Sequence, residues 1–128
     1  MRLLLDTHTF LWFVNGDLKL SQHARALIED VFNERLLSIA SIWEMAIKAS
    51  TGWLSFTSPF DIFVSEQMRQ NSINFLPISV AHVAETITLP YHHRDPFDRL
   101  LIAQGIVENI PIASVDSAFD AYPVTRLW

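Results

Sequence analysis

Short apolar runs alternate with longer amphipathic stretches along this chain, and that alternation limits the fold more than any other feature of the sequence. Residues 2–6, RLLLD, form an apolar run that is too short for a buried helix and lacks the polar alternation of a half-exposed strand. Such runs are typical of strands buried on both faces of a parallel sheet that helices cover. The alternation therefore predicts an α/β fold with a central, mainly parallel sheet.

The pattern predicts four buried strands, a short C-terminal edge strand and five helices. The strands are expected at residues 2–6, 36–40, 73–78 and 110–116, with the edge strand at 123–128. The helices are expected at residues 21–32, 41–50, 58–70, 79–87 and 95–108. Their predicted N-caps include Ser21, Ser41, Ser58 and Asp95, and Ser41 with Glu44 forms an S-x-x-E capping box. A chain of 128 residues has the size of one domain, so residues 1–128 are expected to form a single domain.

The composition indicates an intracellular chain with a partner. Half of the residues are hydrophobic and the mean hydropathy is +0.22, which predicts that another chain or a second copy covers apolar surface. The aromatic segment at residues 10–13, with Phe60, Phe63 and Val64, is explained equally well by core packing or by a groove for a partner helix. The absence of cysteine and of any long apolar run predicts a soluble, cytoplasmic chain with no membrane contact. The net charge of -5 argues against broad attraction to nucleic acid but leaves room for a local site.

Four carboxylates lie at special places in this predicted arrangement. Asp6 ends the first strand, Asp116 ends the fourth, and Glu44 and Asp98 each lie in the first turn of a predicted helix. In right-handed βαβ units the helix N-termini and the carboxyl ends of the strands lie at one edge of the sheet. We therefore expect the four acids to converge at the edge where open α/β sheets bind ligands.

Each acid alone has a structural explanation. The capping box accounts for Glu44, the helix dipole favours Asp98, acids commonly follow buried strands, and Lys48 is a natural i+4 partner of Glu44. Together, however, they repel: two carboxylates ~6 Å apart cost ~3 kcal/mol at an effective dielectric constant of about 20. Six such pairs exceed the ~5–15 kcal/mol that stabilises a domain, so the cluster needs cations or partial protonation.

The donor set selects the cation. Carboxylate ligands without cysteine favour a hard divalent ion, Mg²⁺ or Mn²⁺. Such an ion lowers the pKa of a bound water and stabilises charge on a phosphoryl group. The sequence therefore predicts hydrolysis of phosphodiester bonds.

Four segments, in this order, closely resemble PIN-domain proteins and, among them, the VapC-type ribonuclease toxins of bacterial toxin–antitoxin pairs: LLLDTHTFLW, SIWEMAIK, HHRDPFDRLLIAQ and ASVDSAFDAY. The resemblance runs through the whole chain, and HHRDPFDRLLIAQ is specific rather than generic. It implies a PIN-like three-layer α/β/α sandwich and an Mg²⁺- or Mn²⁺-dependent endoribonuclease whose acids are Asp6, Glu44, Asp98 and Asp116. It also implies an RNA substrate, a small antitoxin protein as partner and a homodimer, and Ser114 matches a hydroxyl residue of the family just before the last acid.

Other polar residues surround the predicted site. Thr7, next to the first acid, is a second candidate hydroxyl residue. His92 and His93 are candidates for contact with RNA or a metal ion, or are ordinary surface residues. Arg94 and Arg99 are expected either to bind phosphate or to form salt bridges with the nearby acids.

Two other classes of protein compete with this interpretation. Phosphatases of the haloacid-dehalogenase type also end their first strand with Asp, but their second acid, two positions later, is replaced here by His8, and no suitable lysine lies near the fourth strand. A non-catalytic PIN-like module that binds RNA or protein is the second alternative. The four acids argue against it, because a binding module gains nothing from their mutual repulsion.

Overall fold

The computed structural model describes all 128 residues and contains one five-stranded sheet. Its strands are β1 Arg2–Leu5, β2 Glu34–Ser38, β3 Ile73–Leu76, β4 Ile112–Ala113 and β5 Arg126–Leu127. They follow the order β3-β2-β1-β4-β5, and every neighbouring pair is parallel. The predicted mainly parallel sheet is therefore confirmed, and the C-terminal strand lies at an edge as expected.

Six α-helices and one short 3₁₀ helix connect the strands. The α-helices are α1 Thr7–Asn15, α2 Gln22–Glu29, α3 Ile39–Ser50, α4 Phe60–Gln70, α5 Val80–Thr88 and α6 Pro96–Glu108. The 3₁₀ helix, Ser117–Ala121, lies between β4 and β5. None of these helices has the length and the apolar character that are needed to cross a membrane.

Each face of the sheet has its own apolar core. Leu3 and Leu5 of β1 belong to a buried cluster with residues of α1, α2 and α4. Leu4, between them, belongs to a second cluster with residues of α6, and α5 packs against α6. Since successive side chains of a strand point to opposite faces, these two clusters lie on opposite sides of the sheet. The result is the predicted three-layer α/β/α sandwich.

Two predicted helix caps are wrong. Helix α3 begins directly after β2, and the Oγ of Ser38 accepts the N–H of Ala40 at 3.0 Å, so Ser38 is the N-cap and Ser41 lies inside the helix. The predicted capping box therefore does not form, and Glu44 lies in the second turn of α3. In α4 the N-cap is Pro59 with no side-chain cap bond, so Ser58 does not cap that helix.

Residues 7–15 form a helix that the sequence pattern did not predict. Their continuous apolar run hides the helical period, but the ends of α1 are marked clearly. Asp6 caps its N-terminus, and Gly16 ends it in the left-handed conformation, with φ at 63°. Asp6 thus directly follows β1 and is the N-cap of α1, which places it at the carboxyl edge of the sheet.

Candidate active site

Asp6 is fixed at the sheet edge by its role as a helix cap. Its Oδ1 accepts the N–H of Thr9 at 2.8 Å, and its own N–H donates to the carbonyl of Ala113 in β4 at 3.1 Å. The residue is buried, with 5% exposure. Its other carboxylate oxygen has no hydrogen bond within the protein, so one oxygen serves the fold and one remains for a ligand.

Glu44 is held from two sides. The Oγ1 of Thr7 donates to Glu44 Oε1 at 2.6 Å, and Lys48 Nζ lies 3.2 Å from Glu44 Oε2. The expected i+4 pair of Glu44 and Lys48 is therefore present. Thr7 directly follows Asp6, so its hydrogen bond to Glu44 links the chain at the end of β1 to helix α3. It thereby connects the first two acids of the predicted set. Thr7 is buried, so this is a fixed contact of the interior.

Asp95 and Asp98, three residues apart, have different surroundings. The Oδ1 of Asp95 accepts the N–H groups of Phe97 at 2.8 Å and of Asp98 at 3.1 Å, which confirms that Asp95 is the N-cap of α6. Asp98 lies in the first turn of that helix. Burial, together with the negative charges of Asp95, Glu44 and Asp6, raises the pKa of Asp98 to about 7, although His93 acts in the opposite direction. The negative charges of Asp6 and Glu44 therefore contribute to the raised pKa of Asp98.

Asp116 follows β4 and caps the 3₁₀ helix. Its Oδ1 accepts the N–H of Ala118 at 2.9 Å, and its own N–H donates to the Oγ of buried Ser114 at 3.0 Å. Burial alone would raise the pKa of Asp116, but the Ala118 N–H, the His93 ring and the Arg126 guanidinium hold it below its ordinary value. Ser114 therefore positions the last acid through its backbone.

His93 lies at the centre of the group. Its Nε2 is 3.0 Å from Asp116 Oδ2 and 3.2 Å from Asp98 Oδ2. Side-chain ligand atoms of His93, Asp98 and Asp116 all lie within 4.8 Å of one another, a spacing that one metal ion can span. This group therefore contains two of the four predicted acids and a histidine. Asp6 and Glu44 lie outside it, but their negative charges help to raise the pKa of Asp98.

The remaining predicted residues lie around this group. Arg99, expected to bind phosphate or to pair with an acid, does neither: its guanidinium is buried and donates to four backbone carbonyls, those of Thr86, Leu89, Pro90 and His93. It therefore supports the loop that carries His93. Arg94 is exposed and forms no ion pair, whereas His92 is exposed and packs at the edge of the Tyr122 ring, with ring centroids 5.4 Å apart.

Comparison with known proteins identifies the class. The sequence model of the PIN domain matches residues 3–124, so the chain belongs to the PIN-domain family. A segment of 60 residues is 40% identical to Ribonuclease VapC16 of Mycobacterium tuberculosis strain H37Rv. That match covers 47% of this chain and 43% of the relative, so it spans less than half of either protein.

Solved structures share the fold at low sequence identity. One is the crystal structure of VapBC2 from Rickettsia felis bound to a DNA fragment from their promoter, with a TM-score of 0.73 and 14% identity over 100% of this chain and 99% of that one. Another is FitAcB from Neisseria gonorrhoeae, with a TM-score of 0.65 and 17% identity over 98% of this chain and 96% of that one. At such identities the likeness establishes the PIN-like architecture.

Proposed function

We propose that this chain is a metal-dependent endoribonuclease of the VapC type. The observation that carries the proposal is the group formed by His93, Asp98 and Asp116, with the charges of Asp6 and Glu44 beside it. A carboxyl whose pKa is raised to about 7 by burial and by other acids marks a place where the fold concentrates negative charge. Groups with strongly perturbed pKa values cluster at functional sites. The partial identity to Ribonuclease VapC16 supports the same reaction.

The residues fit a divalent ion. Carboxylate oxygens of Asp98 and Asp116 converge on the Nε2 of His93, at 3.2 and 3.0 Å. We assign the remaining oxygen of Asp6 and the carboxylate of Glu44 to the same ion, because the charges of both act on Asp98. Carboxylate oxygens are the ligands that Mg²⁺ and Mn²⁺ prefer. When bound, the ion supplies a water of lowered pKa and offsets the charge that develops on the phosphoryl group.

The chain's own residues then hold and orient the reacting groups. In phosphodiester hydrolysis the oxygen of water forms a bond to phosphorus, the phosphorus–oxygen bond to one ribose breaks, and that leaving oxygen takes up a proton. One of the site carboxylates accepts the proton that the attacking water loses. Thr7 and Ser114 hold Glu44 and Asp116 in place. Arg94, exposed and without an ion pair beside the site, is the residue we assign to the RNA phosphate.

The apolar surface fits a protein partner. A cavity of about 230 Å³ between α1 and α4 is lined by Leu11, Phe56 and Phe63, among others, and we assign it to a helix of a small antitoxin protein. Trp43, 63% exposed, and its neighbours on α3 are assigned to a homodimer contact. We place the chain, as a single domain of residues 1–128, in the cytoplasm.

Two experiments test the proposed function. The purified chain should cleave structured RNA with Mg²⁺ or Mn²⁺ and stop with EDTA, whereas Asp6→Asn should fold and be inactive, since Asn retains the helix cap but not the charge. Cleavage by Asp6→Asn equal to that by the wild type would indicate a contaminant and refute the assignment. In a bacterial host, expression of the chain alone should slow growth, and co-expression of the neighbouring small gene should relieve this by forming a stable complex.

A further inference from the structure

Contacts on several sides fix the position of His93. Its backbone N–H donates to the hydroxyl of Tyr122 at 2.8 Å, and that hydroxyl donates to the carbonyl of Pro90 at 2.6 Å. Its carbonyl accepts a hydrogen bond from Arg99 at 3.3 Å. The ring packs edge-on against buried Phe119, with centroids 5.8 Å apart. The loop thus holds the imidazole at the acids, and this placement is a fixed property of the fold.

The hydrogen bonds of the ring identify its tautomer. The N–H of Asp95 donates to Nδ1 of His93 at 3.3 Å. A backbone N–H only donates, so Nδ1 carries the lone pair and the proton of the neutral ring is on Nε2. That Nε2–H faces the two carboxylates, at 3.0 Å from Asp116 and 3.2 Å from Asp98. His93 therefore donates a hydrogen bond to Asp116 and lies in close contact with Asp98.

This orientation is the reverse of that of a metal ligand. A histidine that binds a metal through one nitrogen needs a lone pair there, and its other nitrogen usually donates an N–H to a carbonyl or a carboxylate. In His93 the nitrogen near the acids carries the hydrogen, and the other nitrogen accepts. Binding of an ion by Nε2 would require a change of tautomer and the loss of the bond from Asp95.

We infer that His93 takes the place of the metal ion in the metal-free protein: its Nε2–H donates to Asp116, lies against Asp98 and competes with the ion for these acids instead of ligating it. The inference rests on the proposed function in one respect, that the acids take a divalent ion. It explains how Asp116 is hydrogen-bonded when no metal is bound. It also separates His93 from the four acids, which would hold the ion.

Mn²⁺ binding to the purified 128-residue chain, measured by electron paramagnetic resonance at one fixed pH, tests whether removal of the ring raises or lowers the affinity. His93→Ala should bind Mn²⁺ about tenfold more tightly than the wild type, because a hydrogen bond to a charged group no longer opposes the ion. It should also melt at a lower temperature in EDTA, because Asp116 loses that hydrogen bond. His92→Ala, the exposed neighbour, is the matched control and should change neither quantity.

A second variant covers the case in which His93→Ala does not fold. His93→Gln restores one N–H donor, so its affinity for Mn²⁺ should lie between those of the wild type and His93→Ala. Unchanged or weaker binding in these variants would overturn the inference and make His93 a ligand or a bystander. If neither the wild type nor any variant binds Mn²⁺, the metal-dependent function fails together with the inference, whereas weaker binding confined to the His93 variants refutes the inference alone.

Nitrogen chemical shifts of the imidazole give an independent readout. In the metal-free protein, long-range ¹H–¹⁵N spectra should show a hydrogen on Nε2 of His93 and none on Nδ1, which accepts the N–H of Asp95. A ring protonated on Nδ1 would contradict the donor geometry. On saturation with Mg²⁺, which unlike Mn²⁺ is diamagnetic, the Nε2–H signal should shift because the ion competes for its acceptor, Asp116.

Discussion

Replacing Asp98 with asparagine should stabilise the metal-free protein at alkaline pH and have no such effect at acidic pH. The pKa of Asp98 is raised from its ordinary value of 3.8 to about 7, by burial first and then by neighbouring acids. A carboxyl with a raised pKa binds its proton more tightly in the folded state than in the unfolded chain. Stability therefore falls as the pH rises between about 4 and about 7, and the loss is complete above the folded pKa.

The size of the effect follows from the same values. The difference between 3.8 and about 7 corresponds to at most about 4 kcal/mol. Asp98 is partly exposed, with 24% of its side-chain surface accessible, so solvent screening reduces the expected gain to about 2 kcal/mol. The asparagine keeps an oxygen that can face the Nε2 of His93, 3.2 Å away in the wild type. The comparison thus removes the charge and leaves a polar group of similar size.

Urea denaturation in EDTA at pH 3 and at pH 8 measures the effect. Asp98→Asn should be more stable than the wild type at pH 8, by about 2 kcal/mol, and about equal to it at pH 3, where the carboxyl is protonated in both the folded and the unfolded chain. Asp116→Asn is the matched control, because its pKa is lowered and its charge therefore stabilises the fold above pH 4. That variant should be less stable than the wild type at pH 8, with the difference lost on acidification. An Asp98→Asn variant that is less stable at pH 8 would refute the reasoning.

Two further predictions concern residues that support the site. Asp95→Ala should lower the free energy of unfolding by about 1 kcal/mol, because the first turn of α6 loses its cap. Asp95→Asn should leave the free energy of unfolding nearly unchanged, and urea denaturation measures both. Arg99→Lys should cost about 2 kcal/mol and expose the loop before α6 to proteolysis, since a single ammonium group cannot satisfy the four carbonyls that the guanidinium reaches.

The sequence predicts well those features that depend on neighbours along the chain. Asp95 as a cap and Asp98 in the first turn follow from local capping preferences and the helix dipole, and the structure has both. The parallel sheet follows from the apolar runs. The error at α3 is also local: two serines, Ser38 and Ser41, both suit an N-cap, and only the end of β2 decides between them.

The position of His93 at the acids could not be predicted from the sequence because it depends on contacts with residues far along the chain. The loop that carries it is fixed by Tyr122, which is 29 residues away, and by Arg99 inside the next helix. No spacing in the HHRDP segment distinguishes His93 from His92, yet one ring points to the acids and the other to the surface. Arg99 shows the same limit. An arginine next to an acid in the sequence suggests phosphate binding, but in the structure Arg99 is buried and donates to backbone carbonyls.

Cleavage of structured RNA by Asp98→Asn and Asp95→Asn, purified side by side and assayed with Mn²⁺, tests the central claim most directly. Both substitutions remove one negative charge from the same turn, but only Asp98 belongs to the group with His93 and Asp116. We expect Asp95→Asn to retain most of the activity of the wild type, and Asp98→Asn to lose it while remaining folded and binding Mn²⁺ more weakly. Activity that survives in Asp98→Asn and disappears in Asp95→Asn would contradict the account.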